Sequence, residues 1–138
     1  MNSLTLERIY PGVLALICAG IWWYFGHPFP TARMDAFLSA ALTYAAILIG
    51  FMSTAQTLII GMPVMGALKS SGYLDVLLQY MRWATHSLIF FSVLNLLGFF
   101  LPTDAPLWFQ GAWILVGVFS LAAFYRVTSI SLKIMRRP

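Results

Sequence analysis

Charge is scarce in this chain. Only 9% of its 138 residues are Asp, Glu, Lys or Arg, while 61% are of apolar types. Ordinary soluble domains carry roughly 25% charged residues. A short soluble chain has a high surface-to-volume ratio and needs polar side chains to cover it. Eight basic and four acidic residues cannot do that, so a soluble globular domain is excluded and the solvent for this apolar surface is lipid. Length bounds the chain to a single domain, residues 1–138. Cysteine is nearly absent too. Cys18 stands alone in an apolar run, which excludes an intrachain disulfide and Cys-x-x-Cys redox chemistry and leaves a small, soft packing residue.

The long apolar runs hold no Asp, Glu, Lys or Arg at all. About 20 largely apolar residues cross ~30 Å of hydrocarbon as a helix. Four segments approach or exceed that length: about 9–25, 36–60, 84–101 and 107–125. Pro11 is expected in the first turn of the first. Gly26-His27-Pro28-Phe29-Pro30 ends it, Gly61 and Pro63 end the second, and Pro102 and Pro106 separate the last two. No small-residue cleavage site follows the first run. Trp22, Trp23 and Tyr24 follow instead, as in a retained helix rather than a signal peptide. The expected fold is therefore an all-α membrane protein of four transmembrane helices.

The few charges are distributed unevenly. Arg8, Lys69, Arg82, Arg126, Lys133, Arg136 and Arg137 fall on one side of this layout, and Arg33 alone on the other. Basic residues are retained on the cytoplasmic side. Both termini and the 61–83 connection are thus expected inside, which implies an inner-membrane, multi-pass protein. In that connection Leu74, Leu77, Leu78 and Met81 take one helical face, and Asp75, Gln79 and Arg82 the other. With no breaker before the third run, residues 73–101 read as one helix. Its amphipathic start, 73–83, is expected to lie along the headgroups or project into the cytoplasm. Ser70 or Ser71 is its candidate N-cap.

Catalytic chemistry has no visible carrier. Intramembrane charges mark proton relays and ion pathways, and the runs have none. His27 and His86 fall on opposite sides, so they cannot share a metal. His86 can act as a pH-sensitive group beside Arg82, although an interfacial polar role is the simpler reading. Serine triads, paired carboxylates and phosphate-cradling glycine loops are missing. No catalytic residue, cofactor or metal is expected.

What remains are small hydroxyls, amides and a basic tail. Ser39, Thr43, Ala46, Gly50, Ser53 and Thr57 recur at spacings of four and three in the second run. Small residues let helix backbones approach closely, so the stripe is a packing face, within the chain or between copies. A pore-lining strip is the sharper alternative. Ser92 and Asn95 in the third run, with Thr85 a turn or two before them, form a second polar group; Gln56, Gln110 and Ser120 are candidate partners for the buried Asn95 amide. Trp22, Trp23, Trp83, Trp108 and Trp113 read as interface anchors. Lys69, Asp75, Arg82, Arg126, Lys133, Arg136 and Arg137 are the candidate contacts to lipid or to a cytoplasmic protein. Too few basic residues cluster for nucleic-acid binding to be expected.

Two stretches carry a resemblance. Ile47-Leu48-Ile49-Gly50-Phe51-Met52-Ser53-Thr54-Ala55 is followed by Leu68-Lys69-Ser70-Ser71-Gly72-Tyr73-Leu74 and Leu78-Gln79-Tyr80-Met81-Arg82. Across residues 47–95 the chain resembles small four-span bacterial membrane proteins of phage-defence gene cassettes, such as the Kiwa membrane subunits. The resemblance implies a homo-oligomeric inner-membrane sensor or effector of antiviral defence that works with a cytoplasmic partner. It implies no catalytic residues. A holin-like pore former and a structural subunit of a larger membrane complex are the alternatives.

Overall fold

The computed structural model describes residues 3–26, 33–61, 66, 72–101 and 105–135. Among them are four long α-helices: α1 (Ser3–Tyr24), α2 (Met34–Gly61), α3 (Tyr73–Gly98) and α4 (Leu107–Met135). Gly26 follows the end of α1, Gly61 ends α2 and Pro106 precedes α4, as expected, while Pro28, Pro30, Pro63 and Pro102 lie outside the described residues. Phe99, Phe100 and Leu101 close α3 with N–H donations to the carbonyls of Leu96, Leu97 and Gly98. Pro106 opens α4 by accepting from Phe109 N at 2.9 Å. Gly72 precedes α3 in the left-handed region at φ 68° with no side-chain cap, a backbone state that favours glycine. The candidate caps Ser70 and Ser71 lie outside the described residues. Pro11 stands well inside α1 rather than in its first turn, because the helix begins at Ser3.

The helices alternate in direction. α3 packs on α2 and α4, and α4 packs on α1. One core cluster joins Met34 and Leu38 of α2 with Leu94 of α3 and Phe109 of α4. The other joins Met52 and Ile59, Leu74, Leu77 and Met81, and Val127 and Ile130. The first cluster therefore sits at the α1–α2 and α3–α4 connections. The second sits at the opposite end, with the 61–73 connection and the end of α4.

Residues 73–83 form the start of one helix that runs unbroken to Gly98, three residues short of the expected Leu101. Leu74, Leu77 and Met81 are buried in the second cluster, while Asp75, Gln79 and Arg82 are exposed. The apolar stripe packs against the ends of α2 and α4. At its other end α4 continues to Met135, well past the expected limit of 125.

Two helices, Met34–Gly61 and Leu107–Lys133, are long and apolar enough to cross a membrane. Only 22% and 33% of their most apolar windows is buried in the chain, whereas the core helix of a soluble protein would be mostly buried. The apolar part of α1, Ile9–Tyr24, is shorter. α3 is long, but Arg82, His86 and Asn95 interrupt its apolar residues. Ile9, Leu16 and Ile21 on α1, and Ile89, Phe90 and Leu97 on α3, are nonetheless exposed.

Close packing between α2, α3 and α4 depends on Gly98. A Cβ there would lie 2.7 Å from Leu38 Cδ1 and 2.8 Å from Phe109 Cζ. Gly98→Ala is expected to destabilise the protein by about 1–3 kcal/mol through overpacking, read as a lower thermal midpoint in detergent. Gly20→Ala, with nothing within 4 Å of the added carbon, is expected to leave the midpoint within about 0.5 kcal/mol of wild type or raise it.

Candidate functional site

The face that α2 buries against α3 consists of Met34, Leu38, Ala45, Leu48, Met52 and Ile59. These are mostly large residues that remove much apolar area from solvent. The small-residue stripe runs one position further along, at Ser39, Thr43, Ala46, Gly50, Ser53 and Thr57. One residue turns a helix by about 100°, and all six stripe residues are exposed. Packing within the chain, one of the two roles expected for them, is therefore not theirs. Bulk won the contact with α3, and the small residues face outward.

Three of their four hydroxyls bond to their own helix. Thr43 donates to Ser39 O at 2.9 Å, Ser53 to Ile49 O at 3.0 Å, and Thr57 to Ser53 O at 3.1 Å. Thr54, just beside the stripe, donates to Gly50 O at 3.0 Å. With each of these donors folded onto its own helix, the face is low in relief and needs no polar partner. A Cβ at Gly50 would meet nothing within 4 Å.

The expected polar seam reduces to a bond between Asn95 and Trp113. Asn95 is fully buried. Its Nδ2 donates to Phe91 O at 2.7 Å, and its Oδ1 accepts from Trp113 Nε1 at 3.0 Å. Trp113, not Gln56, Gln110 or Ser120, is the partner on another helix. Gln56 lies half-buried toward the other end of α2. Gln110 donates to Ala105 O at 2.6 Å and Ser120 to Gly117 O at 2.9 Å. Ser92 and Thr85 bond to Leu88 O and Met81 O of their own helix. The indole of Trp113 also lies 5.1 Å from the Phe91 ring and 4.9 Å from the Phe37 ring, centroid to centroid. One side chain thus ties α4 to both α3 and α2.

Sequence reasoning misses this bond because Trp113 groups by residue type with the interfacial tryptophans. The overlooked signal is depth. Trp113 is seven residues beyond Pro106, or ~10 Å along the helix, too deep for a headgroup anchor. Trp22 is buried as well, against the position of Gly111, where a Cβ would lie 3.7 Å from Trp22 Cζ3. Trp23, Trp83 and Trp108 remain exposed.

The basic set also divides. Asp75, Arg82 and Lys133 are exposed. Arg126, expected at the surface, is buried, with its guanidinium carbon 4.0 Å from the Tyr80 ring centroid. Burial of the arginine stem and stacking on an aromatic face account for the difference. Lys69, Arg136 and Arg137 lie outside the described residues, as does His27. The exposed His86 places Nδ1 2.7 Å from Arg82 O. Cys18 is half-buried. Among the described residues no three His, Cys, Asp or Glu side chains gather as metal ligands.

No protein-family model matches this chain, and no curated protein or solved structure was found similar to it.

Trp113→Phe removes the donor that reaches Asn95 Oδ1 from another helix. We expect a loss of about 1–2 kcal/mol in a detergent unfolding titration. Adding Asn95→Leu to that variant should recover part of the loss, because the unsatisfied amide is then gone.

Proposed function

We propose that this protein is a non-enzymatic, four-span membrane protein that works by self-assembly through the outward face of α2. The observation that carries the reading is the exposure of all six residues from Ser39 to Thr57 on a face with no bulky side chain. In lipid, helices associate by close packing of small residues, since apolar burial gives no advantage there. Supporting four spans are the exposed apolar side chains of α1 and α3 and the alternation of the helices. The gathering of seven of the eight basic residues on one side of that layout supports cytoplasmic termini, as in a multi-pass inner-membrane protein.

The exposed polar edge of α3, with Asp75, Gln79 and Arg82, supports docking of a cytoplasmic protein. The likeness of residues 47–95 to phage-defence membrane subunits supports a sensor or effector role for the oligomer. A pore lined by α2 is a second reading, favoured by the exposed oxygens of Ser39, Thr43, Ser53 and Thr57.

Gly50→Leu tests the assembly. Because nothing within the chain lies near Gly50, the variant is expected to keep wild-type helicity while its detergent particle falls to monomer mass. Cross-linking of Ser53→Cys in a Cys18→Ala background should give dimers in isolated membranes. A wild-type particle of monomer mass without cross-links would overturn the proposal. Collapse of membrane potential on induction would select the pore form of the oligomer.

A further inference from the structure

A cleft of about 180 Å³ opens between α1, α3 and α4 and is lined by Pro11, Gln79, Tyr80, Trp83, Phe119 and Arg126. Two further cavities among the described residues are lined almost wholly by apolar groups. This one combines a guanidinium and an amide with aromatic rings. We propose that the cleft binds the phosphodiester headgroup of an anionic phospholipid, an inference that rests on the membrane-spanning reading above.

The depth of the cleft suits this ligand. Arg126 lies nineteen residues into α4 from Leu107, and Tyr80 eighteen residues before Gly98. At 1.5 Å per residue these are ~28 and ~27 Å from the opposite ends of their helices. A hydrocarbon core of ~30 Å therefore brings the cleft to the level where acyl chains give way to headgroups. It does so at the end that carries most of the basic residues. Exposed Trp83 at the rim suits the same level, where amphipathic rings collect.

The chemistry of the cleft suits the same ligand. Arg126 is 9% exposed and is positioned by Tyr80 beneath its guanidinium carbon, 4.0 Å from the ring centroid, as well as by other interactions in the fold. A guanidinium presents planar, paired donors that match phosphate oxygens. Exposed Gln79 adds an amide donor at the rim. Tyr80, Trp83 and Phe119 offer apolar walls to the glycerol and upper acyl chain. Basic pockets between membrane helices on the cytoplasmic side are a recurrent form of lipid recognition.

Arg126 also holds the fold, so the decisive variants alter Gln79, whose exposed side chain can change without disturbing the core. Carbonate-washed membranes come first. Protein released by carbonate would sink the spanning reading and this inference together. Protein retained is purified in detergent and titrated with phosphatidylglycerol or phosphatidylcholine, with bound lipid read by native mass spectrometry. We expect phosphatidylglycerol to bind at least tenfold more tightly than phosphatidylcholine. Gln79→Glu should weaken phosphatidylglycerol at least tenfold by presenting a carboxylate to Arg126 and the phosphate. Gln79→Arg should tighten it severalfold. Millimolar inorganic phosphate should leave the bound lipid in place. Equal affinity for the two lipids, or indifference to both substitutions, would overturn the inference while leaving the spanning reading intact. Displacement by inorganic phosphate would assign the cleft to a soluble anion and overturn the lipid source.

Discussion

The hydrogen bond from Trp113 to Asn95 is the constraint on which the three-helix core depends. A primary amide held away from water must find partners, and Asn95 has two: a carbonyl one turn back on α3 and the indole of α4. The bond holds Trp113 of α4 against Asn95 of α3 and so sets the relative position of the two helices at this level. That position places the Trp113 ring between Phe91 and Phe37. Gly117 is part of the same arrangement, since a Cβ there would lie 3.0 Å from Phe91 Cε2. In an apolar medium, where many helix registers bury similar area, such a bond distinguishes one register from its neighbours.

With that register fixed, the faces of α2 are assigned. The bulky residues of one face fill the two core clusters at either end of α3, while the small-residue stripe is left outside, with Ile47, Phe51 and Leu58 exposed beside it. The division is what would let one helix support both the fold and the proposed assembly surface. On the outer face the hydroxyls of Thr43, Ser53 and Thr57 are bonded to backbone carbonyls of their own helix, so exposure leaves none of these donors unpaired. A face of this kind is stable before a partner arrives and becomes well packed after.

Much of the fold is legible in the sequence. Uncharged runs and the prolines and glycines between them mark the helices and their order, because backbone breakers and apolar length are local properties. The amphipathic start of α3 is legible too, as Leu74, Leu77 and Met81 against Asp75 and Arg82. What covers that stripe is not, since periodicity identifies an apolar face but not the element opposite it. Trp113 and Arg126 are misread for a related reason. Residue type suggests an interface anchor and a surface cation, whereas a hydrogen-bond partner 18 residues earlier and an aromatic ring on another helix decide where they sit. The small-residue stripe is legible as a surface for close approach, but which helix approaches depends on how the bulky face is used.

The order of helices in space has a consequence for how the molecule is made. α1 packs chiefly on α4, the helix furthest from it in the chain. α2, α3 and α4 can close on one another as each successive hairpin emerges. α1 gains its main packing partner only once residues beyond Leu107 have been translated, and Ala15 and Trp22, which the finished protein buries, wait for it. The earliest helix is thus the last to be seated, and the interval before α4 arrives is when this chain is most open to capture by another.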